Sequence, residues 1–294
     1  MKKSILASSV AAAMFGLCAT GAQAAISATS TGIGDILIVP YYTAASNNAT
    51  LLSITNTDTA NGKAVKVRFR GAVNSDDVLD FQVFLSPTDV WTAMVSKDAT
   101  TGRAKLTTSD LSCTKPSTLT NSLFQTVRLD NALTATQKAN GTLEGYIEII
   151  GMADIPKTSS TFNVIQTSTT DTTNPLWTAI KHVKGAQPPC TTSSAFTALD
   201  ATTGTRLTNT VATLNASNTA AASGNTGTAA ALGLTTSTGG LMADWTIINT
   251  VNSAAYAGQA YSFADDGTAT VAGTKLINYW VQKADPLTPA EAAA

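Results

Sequence analysis

The chain has 294 residues and a formal net charge of −1, and only 13% of its residues are charged, against roughly 25% in ordinary soluble domains. With no basic block, neither nucleic acid nor an anionic membrane surface is an expected partner. Beyond the N-terminal leader no run reaches the roughly 18 apolar residues of a membrane-spanning helix, so no transmembrane segment is expected in the mature chain.

Met1 to Ala24 have the anatomy of a secretory signal peptide. Lys2 and Lys3 form the positive head, Ile5 to Leu17 the apolar stretch, and Ala22-Gln23-Ala24 the small-residue cleavage site. Cleavage between Ala24 and Ala25 leaves 270 residues carrying 16 basic and 19 acidic side chains, a charge of −3. Cys18 lies inside the leader behind the bulky Leu17, which reads as a discarded residue rather than a lipid anchor. The expected destination is the cell surface or the extracellular space, with the periplasm as the alternative.

Two cysteines remain, Cys113 and Cys190, and an even pair in an exported chain is expected to form one disulfide. Closing a loop of that length contributes about 4 kcal/mol in the chain-entropy account. Two separate buried thiols are the alternative.

In chain order, Ile33 to Tyr42 is an apolar run with Pro40 near its exit, suited to a buried first strand. Thr50 to Thr57 and Lys63 to Arg70 are expected to pair as a hairpin across Asn61-Gly62. In the second of these, Val65, Val67 and Phe69 share one face and Lys66, Arg68 and Arg70 the other, as in a half-buried antiparallel strand. Val78 to Leu85 alternates similarly and is ended by Pro87, and Val90 to Val95 carries Trp91. A short helix is expected over Leu129 to Asn140, a strand over Gly145 to Gly151, and a second helix over Asn174 to Gly185, capped by Asn174 and Pro175. Residues 191–238 form a Thr/Ala/Asn-rich insertion, least structured from Ala216 to Gly233. Strand character returns at Leu241 to Asn249, Ala257 to Phe263 and Leu276 to Val281.

Short alternating strands without an intervening long helix define the expected fold: mainly all-β, an antiparallel β-sandwich of immunoglobulin-like or jelly-roll-like type, with one or two short helices in the middle. The expected organisation is a leader over 1–24, one domain over 25–285, and a frayed tail over 286–294.

No catalytic, cofactor or metal constellation stands out. The mature chain holds one histidine, His182, read as a surface residue, and neither a G-x-S-x-G nor an H-E-x-x-H motif. Glu144 and Glu148 lie about 13 Å apart along a strand, too far for a glycosidase pair. Asp76, Asp77 and Asp80 lack the D-x-D-x-D-G calcium pattern, and Asp265-Asp266-Gly267 reads as a turn. Trp91, Trp177, Trp245 and Trp280 sit in apolar periodic segments, which favours core packing over a sugar-stacking platform.

Ile36 to Tyr42, Ala49 to Thr57, Lys63 to Trp91 and Gly145 to Ile155 together resemble a family of exported Gram-negative proteins labelled "cell surface protein". The resemblance covers most of residues 30–185 and, weakly, 239–263. It implies an outer-membrane or surface address and no particular activity. Members run longer past the Trp245 region, so the chain reads as a shortened one, which leaves open whether its final strand pairs within the chain. The expected function is a non-enzymatic structural protein that self-associates through strand edges into a layer or fibre, as a homo-oligomer or with other cell-surface components. Ile33 to Tyr42 is the candidate donated strand. A carbohydrate- or ligand-binding surface module is the alternative, and a secreted hydrolase comes third.

Overall fold

Alternating apolar side chains, rather than any helix, build the molecule. The computed structural model describes residues 26–117, 119–158, 173–183, 187–200, 233–235, 237–249 and 251–265. The leader with its Ala24–Ala25 junction, the stretch from Ala216 to Leu232, Trp280 with its strand, and the C-terminal tail lie outside them.

The strands are β1 (Ile26–Ala28), β2 (Ile36–Thr43), β3 (Asn48–Asn56), β4 (Gly62–Gly71), β5 (Asp77–Leu85), β6 (Val90–Lys97), β7 (Ala104–Thr107), β8 (Cys113–Lys115), β9 (Ser122–Leu123), β10 (Glu144–Ile155), β11 (Leu241–Asn249), β12 (Ala254–Gln259) and β13 (Tyr261–Asp265). They form two antiparallel sheets. Sheet A runs β1-β13-β2-β10-β4-β5-β8, and sheet B runs β12-β11-β3-β6-β7-β9. This is the mainly β, sandwich-type fold that the alternation implies.

The inward faces meet in one core. Leu37, Val39, Val65, Val67, Phe69, Phe81, Val83, Ile147 and Ile149 come from sheet A, and Leu52, Ile54, Trp91, Val95 and Leu106 from sheet B. Phe69 lies at its centre, edge-on to Tyr42 at 5.2 Å and to Phe124 at 4.9 Å, and stacked on Phe81 at 6.3 Å. Each such large side chain contributes about 1.5–3 kcal/mol by leaving water.

Three expectations need correction. First, β3 and β4 are not a hairpin: β3 belongs to sheet B and β4 to sheet A. Their connection turns a corner in which Asp58 Oδ1 accepts from the N–H groups of Ala60 and Asn61, while the Asn56 amide donates to the carbonyls of Asn61 and Ser86. Strands in facing sheets present the same alternation as strands in one sheet, so periodicity cannot distinguish the two. Second, the run Ala257 to Phe263 divides at Ala260, which is buried between the sheets, and its two halves serve different sheets. Third, both helices are shorter than expected. The first, α1 (Ala135–Gly141), begins only at a Thr134–Gln137 capping box. The second, α2 (Pro175–Ile180), is capped by Asn174 as expected but stops five residues before Gly185.

A second core lies on the outer face of sheet A. Ala64, Phe84, Cys113 and Met152 are roofed there by Leu176, Trp177 and Ile180 of α2 and by Ala195 and Phe196 of α3 (Ser194–Thr197). The disulfide Cys113–Cys190, with Cα atoms 5.6 Å apart, ties this roof to β8. One end of β4 and β5 is consequently buried on both faces, where alternation predicts one.

Candidate interaction surface and buried polar clusters

Among the described residues the two sheets have four edges, and these are unequal. Three end in very short strands: β1 and β8 with three residues each, and β9 with two. β8 is also followed by Pro116, which has no N–H to offer, and is tied down by the disulfide. The fourth edge, β12, has six residues, Ala254-Ala255-Tyr256-Ala257-Gly258-Gln259, with no charge and no proline.

β12 is held from one side only. It pairs with β11 from Asp244↔Gln259 to Asn249↔Ala254, and among the described residues no strand occupies its other side. The β11–β12 turn is set by Asn249, whose Oδ1 accepts from the N–H groups of Val251 and Asn252. Gly258 lets the strand lie against the indole of Trp245, where a Cβ would come within 2.7 Å of Cζ2. Tyr256 on β12 is 68% exposed, and Tyr261 at the start of β13 is 65% exposed.

The candidate donated strand is placed differently. β2 pairs with β10 on one side and β13 on the other, with Leu37 and Val39 fully buried. With both hydrogen-bonding sides filled and its apolar face in the core, it is an interior strand rather than a donor. β1, near the N-terminus, pairs with β13 within the chain.

The face of β4 expected to meet solvent instead carries an ion-pair ladder. Lys66 pairs with Asp80 at 3.1 Å, Arg68 with Asp77 at 2.9 Å, Arg128 also with Asp77 at 3.3 Å, and Arg70 with Glu148 at 3.1 Å. Burial pushes the Lys66 ammonium below its ordinary value, against the pull of Asp80. Asp77 and Asp80 thus face cations of this chain. Glu144 accepts from the Tyr41 hydroxyl at 2.6 Å.

His182 lies beyond the end of α2, not on its outer face. Its Nδ1 is 3.2 Å from Asp89 Oδ2 and 3.5 Å from Ser86 Oγ. Carboxylate and hydroxyl share one ring nitrogen, whereas a hydrolytic triad divides them between two. Sequence reading had no signal for this pairing, because Asp89 sits in the β5–β6 turn, far along the chain.

Trp91 is fully buried and Trp177 is 9% exposed, its ring covered by the ammonium of Lys181 at 4.7 Å and of Lys157 at 5.6 Å. Neither offers an open ring to a sugar. A groove of about 620 Å³ crosses the outer face of sheet B, bordered by Leu51, Ser53, Thr92, Met94 and Thr246, with no aromatic side chain in its lining.

A second buried cluster surrounds Lys63. Its ammonium, 1% exposed, lies 2.6 Å from Asp154 Oδ1, 3.1 Å from Asp58 Oδ2 and 3.1 Å from Thr238 Oγ1. Thr238 Oγ1 in turn donates to Asp154 Oδ2 at 2.6 Å. Burial raises the Asp154 carboxyl above its ordinary value despite these partners. Asp58 goes the other way: against desolvation, hydrogen bonds from Asn61, Ala60 and Lys63 hold it well below the carboxylate range. One signal was present in the sequence, since Lys63 is in phase with the inward Val65, Val67 and Phe69.

No family model, curated protein or solved structure matches this chain. Its function has to be argued from this β-sandwich and its unequal edges.

Proposed function

We propose that the chain is a non-enzymatic structural protein of the cell surface or extracellular space that self-associates through the outer edge of β12. The observation that carries this reading is the contrast between edges: three are blunted, and the fourth is six residues long, uncharged and open among the described residues. Natural sheets usually protect such an edge with charge, proline or a cover. Two copies related by a two-fold axis would pair β12 with β12 antiparallel and join two copies of sheet B into one continuous sheet. Such an isologous contact closes on itself, so the dimer is the repeat unit, and a layer or fibre needs a second contact. The leader over 1–24, the resemblance to exported surface proteins and the disulfide support the compartment.

The test is the mass in solution of the mature chain, by light scattering after size exclusion, with negative-stain microscopy beside it. Wild type is expected to be dimeric or larger, and Tyr256→Lys with Ala257→Lys to be monomeric with an unchanged far-ultraviolet spectrum. A wild-type chain that stays monomeric as concentration rises overturns the proposal.

A further inference from the structure

We propose that Lys63 and Asp154 condense into an intramolecular amide bond that staples β4 to β10. The two residues are register partners on neighbouring strands, and their reacting groups touch: Nζ is 2.6 Å from Oδ1, with side chains 1% and 2% exposed. The inference is independent of the β12 contact.

Four groups occupy the positions such a reaction requires. Lys63 Nζ is the nucleophile and Asp154 Cγ the electrophile. Thr238 donates from its hydroxyl to Asp154 Oδ2 at 2.6 Å, where negative charge develops on attack. Asp58 Oδ2, 3.1 Å from Nζ, is placed to relay a proton transiently: its lowered value makes it a weak acceptor that hands the proton on readily to the departing oxygen. Burial favours the neutral acid at Asp154, whose carboxyl is raised above its ordinary value, and Nζ, which must give up a proton, lies 2.6 Å from its Oδ1.

The step balances without a co-reactant. Lys63 passes a proton to Asp154, and the free amine attacks Cγ. Asp58 takes a proton from the nitrogen of the tetrahedral intermediate and returns it to the departing oxygen. The Nζ–Cγ bond forms, the Cγ–O bond breaks, and one water leaves, with no change of oxidation state. Lys63 and Asp154 hold opposite charges almost out of water, with side chains 1% and 2% exposed, which is costly. The amide removes both charges of the inner pair. Asp58 is left with the Ala60 and Asn61 N–H groups and the Asn61 amide as donors.

Intact-mass measurement of the purified mature chain tests this. Wild type is expected to weigh one water less than its sequence after allowance for the disulfide, and to keep that deficit under reduction. Peptide mapping should recover a branched peptide joining the Lys63 and Asp154 segments. Lys63→Arg and Asp154→Ala should restore the full mass, Asp58→Asn should slow the loss, and Asp154→Asn should reach the same product mass by releasing ammonia. A folded, disulfide-bonded wild-type chain with its full mass overturns the proposal, and so does a deficit that maps to any other residues. The wild-type measurement decides even if a variant fails to fold.

Discussion

Single carboxylates in this chain do different work according to what donates to them. Asp98, in the turn between β6 and β7, accepts from the Thr101 N–H at 2.8 Å and from its hydroxyl at 2.9 Å, with Lys105 3.3 Å away. These donors, the backbone one foremost, hold its carboxyl down to about 2. In the unfolded chain the same group titrates near 4. Because the folded value is the lower one, the turn's contribution is fully present above about pH 4 and fades as the pH falls toward 2. The difference in melting temperature between wild type and Asp98→Asn should therefore close over that interval. A difference that stays constant from neutral pH down to 2 would show that charge is not what Asp98 contributes. None of this was visible in the sequence beyond the turn-forming Asp98-Ala99-Thr100-Thr101-Gly102. Lys63 was more legible, as a charged residue on an apolar phase, but its partners come from elsewhere. Asp154 follows a register shift between Gly151 and Ala153, which breaks the alternation that would have placed it.

At the scale of elements, period-two alternation located β4 to β6, because a strand with one face in the core needs that pattern, and apolar or strand-forming runs located β2, β3, β10 and β11. Which sheet each strand joins was not legible. β3 and β4 show this best: the corner between them depends on hydrogen bonds from Asn56 and to Asp58, side chains that an ordinary hairpin turn would tolerate equally. β10 shows the complementary case. Its pairing shifts between Gly145 and Ile147 where it meets β2, and at Gly145 a Cβ would overlap the carbonyl oxygen of Arg70 and crowd the Tyr42 ring. The strand can approach β4 this closely only without a side chain. Gly145→Ala should therefore cost more than 2 kcal/mol, since backbone rather than a flexible side chain must yield. Gly141→Ala provides the contrast, as its nearest neighbour would be a Leu129 methyl at an ordinary 3.4 Å. Urea denaturation of both variants checks this. Equal midpoints would mean that β10 relaxes freely at the shift.

At the scale of the molecule, two cores share sheet A. One lies between the sheets, and the other lies under α2 and α3 on its outer face. The disulfide was legible from cysteine count and leader, and so was its tie from the loop after the second helix to the Cys113 segment. The second core it fastens was not, because the roof is built of short helices whose apolar residues follow no strand period. The roof contributes few backbone pairings to the sheet: the described bridges run from Thr158 to Thr173 and from Asp154 to Thr235. Its attachment rests on side-chain packing, such as Phe84 against Phe196 at 4.9 Å, and on Cys113–Cys190. Such a layer should open before the inter-sheet core does. Replacing both cysteines with serine is expected to remove about 2–4 kcal/mol, and the loss should be uneven. Amide protons of α2 and α3 should exchange much faster than in the parent, while those of β3, β6 and β11 keep their protection. Hydrogen exchange followed by peptide mass measures this directly. A uniform loss of protection across both cores would mean that the sandwich and its roof unfold as one unit, with the disulfide acting on the whole chain.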